Sequence, residues 1–317
     1  MATIAVVGEI VADAVLPADG IVNGAAHLTV HPGGGPANCA VALARLGSTA
    51  RFAGRISTGS LGRLARDKLA ASGVDLTASQ DAQEPQTLAI AKLSASGSAT
   101  YEFYTDGTAD WAWTDAGLAP LIDGPFIDAG PPVAIHTGTL ALALQPSGSV
   151  IERLLSRARP TMTVSIDPNL RTTLVPVQLY REVIDRWAAL ADIVRLSQDD
   201  LLELWPEFSP EQAAEHLHAS GVQLVVVSLA GDGAFASLRG ERLRVPIAPT
   251  ELVDTVGAGD SFHSGLLHQL ADAGRLGGRL DTLTVAGLQR ALEFAARVAA
   301  ITVSRPGADP PWAHELA

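Results

Sequence analysis

With 317 residues, 47% of them apolar and only 18% charged, the chain is long enough to bury a sizeable core and too apolar to be disordered along its length. A formal charge of −12 argues against nucleic acid and anionic membrane surfaces as partners, because both are gripped by clustered Lys and Arg. Lys68 and Lys92 are the only lysines and no G-x-x-x-x-G-K-[ST] run occurs, so any phosphate site must rest on backbone N–H groups, arginine or a metal ion.

The first predicted element is a strand over Ile4 to Val7, with no basic segment before it and no apolar run anywhere long enough to span a bilayer. Residues 9–32 then break the rhythm of strand and helix. A helix follows over Asn38 to Leu46, with Pro36 near its first turn and Gly47 closing it. It carries the single cysteine, Cys39, which reads as a small buried hydrophobe in a reducing compartment, so a cytoplasmic protein is expected.

A second strand is predicted at Ala50 to Ala53, and alternation returns at Thr87 to Leu93 and Thr100 to Tyr104, joined by the turn-prone residues 94–98. Residues 9–32 and 86–112 together read as a small antiparallel β lid. Strands at Val133 to His136, Thr163 to Ile166, Asp192 to Leu196 and Gln223 to Ser228 alternate with helical patterns, several of them apolar on both faces. A hairpin is predicted over Ala234 to Leu238 and Arg242 to Val245. The fold class is therefore α/β: a mostly parallel sheet between helices, made by 1–8, 33–85 and 113–317, with the lid as a second unit.

The most informative segment is Asp254-Thr255-Val256-Gly257-Ala258-Gly259-Asp260. Phe262, Leu266 and Leu270 follow at i, i+4 and i+8, so a tight glycine turn enters a helix. The glycines permit close approach and unusual φ at 257 and 259, and N–H groups at a helix start carry the positive end of its dipole, which suits a phosphoryl group in transfer. Asp260 in the first turn suits a proton acceptor, although an Asp in that place most often only caps the helix.

Asp254 to Asp260 resembles the C-terminal signature of the ribokinase (PfkB) family, and Gly33-Gly34-Gly35-Pro36-Ala37-Asn38 through Gly47 resembles its N-terminal signature. The resemblance covers essentially the whole chain and implies a ribokinase-like α/β/α sandwich that phosphorylates a sugar with ATP. It further implies Asp260 as catalytic base, the amides of Gly257, Ala258 and Gly259 as anion hole, and Asp13, Gly33, Gly34 and Asn38 as sugar contacts. Ser228, Gly231 and Gly233 match the ATP-binding strand and loop. Ser197-x-x-Asp200 stands where the family has N-x-x-E, which implies Ser197 beside the nucleotide and Asp200 holding Mg²⁺ through water. The resemblance also raises K⁺ at the backbone of Asp254 and Val256 and a homodimer formed through the lid, both left open.

The segments Asp167 to Arg171, Gly107 to Trp113 and Ser304 to Trp312 are similar to bacterial fructokinases, and the planar fork of Arg171 suits either a transferring phosphate or a substrate carboxylate. Fructose is the expected substrate. The alternatives are 2-keto-3-deoxygluconate, a nucleoside, or a sugar-binding regulatory relative without turnover. Ala296, Thr58 and Gly59 depart from the family pattern.

Overall fold

The computed structural model of the chain describes residues 2–93, 99–124, 126 and 130–316, so the expected turn at 94–98 lies outside the described residues. In chain order the elements begin with β1 (Thr3–Val7), β2 (Val11–Leu16), β3 (Ile21–Val22), β4 (Ala25–Ala26), β5 (Thr29–Gly33) and α1 (Gly35–Arg45). They continue with β6 (Thr49–Ala53), β7 (Arg55–Ser57), α2 (Ser60–Ala71), β8 (Gln80–Ala82), β9 (Leu88–Leu93), β10 (Ala99–Tyr104) and α3 (Asp115–Asp123). Next come β11 (Ala134–Gly138), α4 (Thr139–Ala143), α5 (Ser147–Ala158), β12 (Thr163–Asp167), α6 (Val177–Leu190), β13 (Ile193–Ser197), α7 (Gln198–Leu204) and α8 (Pro210–Ala219). The last are β14 (Leu224–Ser228), β15 (Ala234–Leu238), β16 (Glu241–Val245), α9 (Ala258–Asp272) and α10 (Val285–Val303).

Eight strands form the main sheet in the order β16-β15-β14-β13-β12-β11-β1-β6, parallel from β14 to β6 and antiparallel at the β15–β16 edge. That edge is the expected hairpin, turned by Arg239 and Gly240, both at positive φ as a two-residue turn requires. Side chains alternate across the sheet: Ala5, Val7, Ile135, Val164 and Val194 pack with α5 to α8, whereas Ile4, Val6, Ala134, Ile193 and Val226 pack with α1, α9 and α10. This burial on both faces is why strands such as β1 and β14 read as nearly continuous apolar runs. Trp111 and Trp113 belong to the first of these cores, while Tyr101 and Tyr104 lie exposed.

The small sheet, ordered β10-β9-β2-β5, corrects one expectation. It is mixed rather than antiparallel: β2 pairs with β5 and β9 with β10 antiparallel, but β2 and β9 run parallel. The physical reason is that both strands leave the main body side by side, where the Ala12 N–H donates to the Thr87 carbonyl at 2.8 Å and Gln86 Nε2 to the Ile10 carbonyl at 2.6 Å. A parallel two-stranded pair, β7 with β8, was not foreseen at all.

From β1 the chain reaches β6 on one side by way of α1, and later enters β11 on the other side, leaving it through α4 and α5 on the opposite face. Strand order reverses there, and in open α/β sheets such a crevice at the carboxyl ends of the strands is where ligands bind.

Candidate active site

At that crevice the two glycine signatures meet. Gly257 sits at φ +74 as the N-cap of α9, as the turn predicts, and Phe262, Leu266 and Leu270 bury one face of the helix. Gly259 corrects the expectation of unusual φ, being helical. Its lack of a side chain serves close approach instead, since a Cβ there would lie 2.7 Å from both terminal nitrogens of Arg195. The Ala258 N–H is drawn back to the Thr255 carbonyl at 3.2 Å, whereas among the described residues the N–H groups of Gly257, Gly259 and Asp260 have no acceptor. These are the orphan donors of a helix start, aimed outward with its dipole.

Asp260 is buried, and its Oδ2 accepts from Asn38 Nδ2 at 2.9 Å, a hydrogen bond that ties α9 to α1 across 222 residues of sequence. Its other oxygen faces a point above Gly35: a Cβ built on that glycine would stand 2.8 Å from Thr139 Cγ2, 3.3 Å from Asn169 Nδ2 and 3.5 Å from Asp260 Oδ1. Both Thr139 and Asn169 hold positive φ, of 50° and 38°, a cost that non-glycine residues bear where the surroundings fix them. Burial raises the Asp260 carboxyl above the usual carboxylate range, and Asn38, Arg195 and Arg171 pull it back in part.

Asp13, on β2, lies over the same end of the molecule and is pushed up to about 6, by burial first, with Arg171 and Lys68 opposing and Asp260 adding to the rise. Gly33 is glycine because of it, since a Cβ at 33 would come 1.8 Å from Asp13 Oδ2. Gly34, at φ +98, lies against the Glu9 carbonyl, 2.8 Å from where its own Cβ would be. Arg171 Nη1 donates to Asn169 Oδ1 at 2.6 Å and to the Leu170 carbonyl at 2.9 Å, which sets the guanidinium beside Asn169.

On the far side, Ser228 ends β14 and its Oγ accepts from Arg195 Nη2 at 2.5 Å. Gly231 lies exposed in the short turn after it, and Gly233 follows at φ +85. Ser197 and Asp200 form the capping box of α7: Asp200 Oδ2 accepts from Ser197 N at 2.9 Å and Oγ at 2.5 Å, and its Oδ1 from Leu170 N at 2.8 Å. Asp200 thus accepts on both oxygens but only once on Oδ1, which keeps a lone pair for a water, and among the described residues no group of three or more His, Cys, Asp or Glu converges as a metal cage. The site fits a Mg²⁺ that arrives on nucleotide phosphates with its waters, and not a cage of protein carboxylates. Asp254 Oδ1 accepts from Val256 N at 3.0 Å and its Oδ2 from Gly307 N at 2.7 Å, which binds the turn before α9 to the C-terminal loop. Cys39 is fully buried with its thiol pushed well above the ordinary value by burial, an inert packing residue.

Sequence reasoning missed Glu9. It is buried where β1 passes to β2, accepting from Ala141 N at 3.0 Å and from the Thr139 hydroxyl. Burial pushes it up to about 8, with nearby Asp110 adding to the rise and Arg171 opposing it, so it holds its proton at neutral pH. An acidic residue between Gly8 and the apolar Ile10-Val11-Ala12 was the available signal. Because the folded value lies above the ordinary 4.5, the stabilisation is complete below that pH and is lost as pH rises through about 8. Glu9→Gln, which mimics the protonated form, is expected to flatten the fall in melting temperature between pH 6.5 and 8 and to be the more stable protein at pH 8. A wild-type fall that persists unchanged in the variant would refute the assignment.

Residues 1–315 match the model of the pfkB family carbohydrate kinase. The chain is 35% identical over 243 residues to a fructokinase of Rhizobium leguminosarum bv. trifolii, covering 76% of this chain and 72% of the relative. It is 34% identical over 273 residues to a fructokinase of Klebsiella pneumoniae, covering 85% and 84%. Among solved structures, a double mutant of the Vibrio cholerae O395 fructokinase with fructose, ADP and potassium ion bound superposes with a TM-score of 0.80 at 26% identity, covering 97% of this chain and 94% of that one.

Proposed function

The chain belongs to the pfkB family of carbohydrate kinases, and from that premise we propose that fructose is the sugar it phosphorylates with ATP. ATP-dependent sugar phosphorylation is the family reaction, and the fructokinase relatives at 34% and 35% identity support the particular sugar. The observation that carries the site is the hydrogen bond from Asn38 Nδ2 to Asp260 Oδ2 beside Gly35, because it brings both signatures onto one carboxylate.

Asp13 and Asn38 hold the sugar, with Gly33 and Gly34 leaving room for them. Asp260 takes the proton from the attacking hydroxyl, whose oxygen forms a bond to the γ-phosphorus as the bond to the β,γ-bridging oxygen breaks. ADP and the sugar phosphate result. The orphan amides of Gly257 and Gly259 face the charge that develops on the phosphoryl oxygens, and Arg171, beside Asn169, meets the same group or the sugar. Ser228, Gly231, Gly233 and Ser197 border the nucleotide. A Mg²⁺ arriving on the nucleotide phosphates would screen their charge, with Asp200 placed to hold it through water, and the carbonyls of Asp254 and Val256 would hold K⁺ if it binds. The lid of 9–32 and 86–112 closes over the sugar and excludes water.

No helix among the described residues is long and apolar enough to cross a membrane, and the lone free cysteine supports a cytoplasmic setting. Exposed Ile21, Val22, Tyr101 and Tyr104 on the lid support a homodimer through the lid, which would show as twice the chain mass in solution.

The substrate is tested by coupled ADP release against fructose, ribose, 2-keto-3-deoxygluconate, tagatose and adenosine. The expected result is the highest kcat/KM on fructose. A preference for the keto acid would reassign Arg171 to a substrate carboxylate, and one for adenosine would replace the sugar by a nucleoside.

A further inference from the structure

Directly behind the anion hole lies a charge that the family signatures do not account for. Arg195 stands in β13 among Ile193, Val194 and Leu196 and is 5% exposed. Its Nη1 donates to Asp167 Oδ2 at 2.9 Å and its Nη2 to Ser228 Oγ at 2.5 Å, so a buried carboxylate and a strand-end hydroxyl clamp the guanidinium on two sides. The clamp is incomplete: Arg195 Nε and Asp167 Oδ1 are buried without a hydrogen-bond partner. A buried ion pair is a poor way to stabilise a fold, since apolar residues of the same volume generally do as well. Stability alone therefore does not explain a guanidinium in a strand otherwise filled with aliphatic side chains.

What the guanidinium touches does explain it. Its terminal nitrogens fill the space where a Cβ of residue 259 would be, 2.7 Å away, so it packs against the backbone of the residue whose N–H is one of the orphan donors of α9. The chain has no phosphate-loop lysine, and its two lysines, Lys68 and Lys92, lie outside the 254–260 turn.

We propose that Arg195, clamped by Asp167 and Ser228, is a positioning residue for phosphoryl transfer: it fixes the Gly259 amide and supplies a permanent positive charge behind the anion hole. It acts through the amides and not by direct contact, because it is buried and packed against the backbone of Gly259. The inference rests on the reading of Gly257 to Asp260 as anion hole and base. The same charge helps hold the Asp260 carboxyl down, alongside Asn38 and Arg171 and against burial, while Asp260 in turn raises the nearby Asp13 and Asp167.

The test compares Arg195→Met, Arg195→Lys and the pair Asp167→Asn/Arg195→Met, which leaves no unpaired buried charge if the single change prevents folding. Arg195→Met is expected to lower kcat by about 10²-fold, the scale of losing one oxyanion-hole donor, with sugar KM within about threefold. Its acid limb in the pH–rate profile is expected to move to higher pH, because Asp260 loses a neighbouring cation. Arg195→Lys should keep the limb in place and recover part of kcat, since the charge remains but the two-sided clamp does not. The paired variant should fold and stay about 10²-fold slow.

A folded cation-free variant at the wild-type rate would overturn the proposal. So would equal losses in the Lys and Met variants with the acid limb unmoved, or failure of both cation-free variants to fold, either of which makes the residue purely structural. Asp260→Asn is measured alongside: if it too is fully active, the reading of the site fails, whereas an inactive Asp260→Asn beside a normal cation-free variant removes only the role of Arg195.

Discussion

Asp260→Asn is expected to lower kcat by roughly 10²–10⁴ while leaving the KM for sugar and for ATP within a few-fold of wild type. The size and planarity of the side chain are retained, and the amide oxygen that replaces the carboxylate can still accept from Asn38 at the 2.9 Å now seen, so the fold and the junction of α1 with α9 survive. What is lost is the capacity to take a proton at the oxygen facing the space above Gly35. The environment argues that this capacity is tuned. Burial raises the carboxyl, which makes it a better base than a solvated aspartate, while Asn38, Arg195 and Arg171 oppose that rise. In the wild type the rate should therefore fall on the acid side through a pKa above the ordinary carboxylate range, and in the variant that limb should vanish with the activity. Initial-rate kinetics across pH 5–9 measure both, and near-normal turnover by the variant would remove Asp260 from the chemistry.

Gly33→Ala is expected to weaken sugar binding about as much as removing Asp13. The added methyl would be placed 1.8 Å from Asp13 Oδ2, and Gly33 cannot retreat because it is paired with Val11 in the lid sheet. The carboxylate must swing away, and with it goes a hydrogen bond from a sugar hydroxyl to a charged acceptor. Such bonds are worth about 1.5–3 kcal/mol, so sugar KM should rise roughly 10–100-fold with the KM for ATP little changed. The double variant Gly33→Ala/Asp13→Ala distinguishes this account from general damage to the lid. If Gly33 acts through Asp13, the double variant is no worse than Asp13→Ala alone, whereas additive losses would show that the two residues act separately.

How much of this could be read from the sequence follows from what each pattern encodes. The six parallel strands of the main sheet were legible because they are β-rich runs, several of them apolar on both faces, alternating with helical patterns, and α9 was legible because a glycine turn precedes an i, i+4, i+8 face. Pairing partners were not. Alternation in Thr87 to Leu93 identifies a strand but says nothing of which neighbour it joins, so the parallel β2–β9 pair emerged only from the shared exit at Ile10 and Gln86. Asp260, Asn38, Asp13 and Gly33 are legible as site residues in the sequence, whereas Gly35 and Asn169 are legible only as members of their segments and Thr139 not at all, although all three lie around the Asp260 oxygen. Their part depends on distances between segments far apart in the chain. Glu9 and Arg195 left a faint trace, each a charged residue in an apolar strand context, but the trace does not name a partner. Ser197 and Asp200 also form the capping box of α7, a local role that their spacing alone does not distinguish from a metal motif.

Phosphoryl transfer from ATP to fructose at Asp260 can be followed by mass spectrometry of the products when purified protein, ATP, Mg²⁺, K⁺ and fructose are combined. Fructose monophosphate and ADP are expected in equal amounts from the wild type, and neither from Asp260→Asn. Fructose bound but returned unchanged, with ATP intact or released only as ADP and inorganic phosphate, would contradict it.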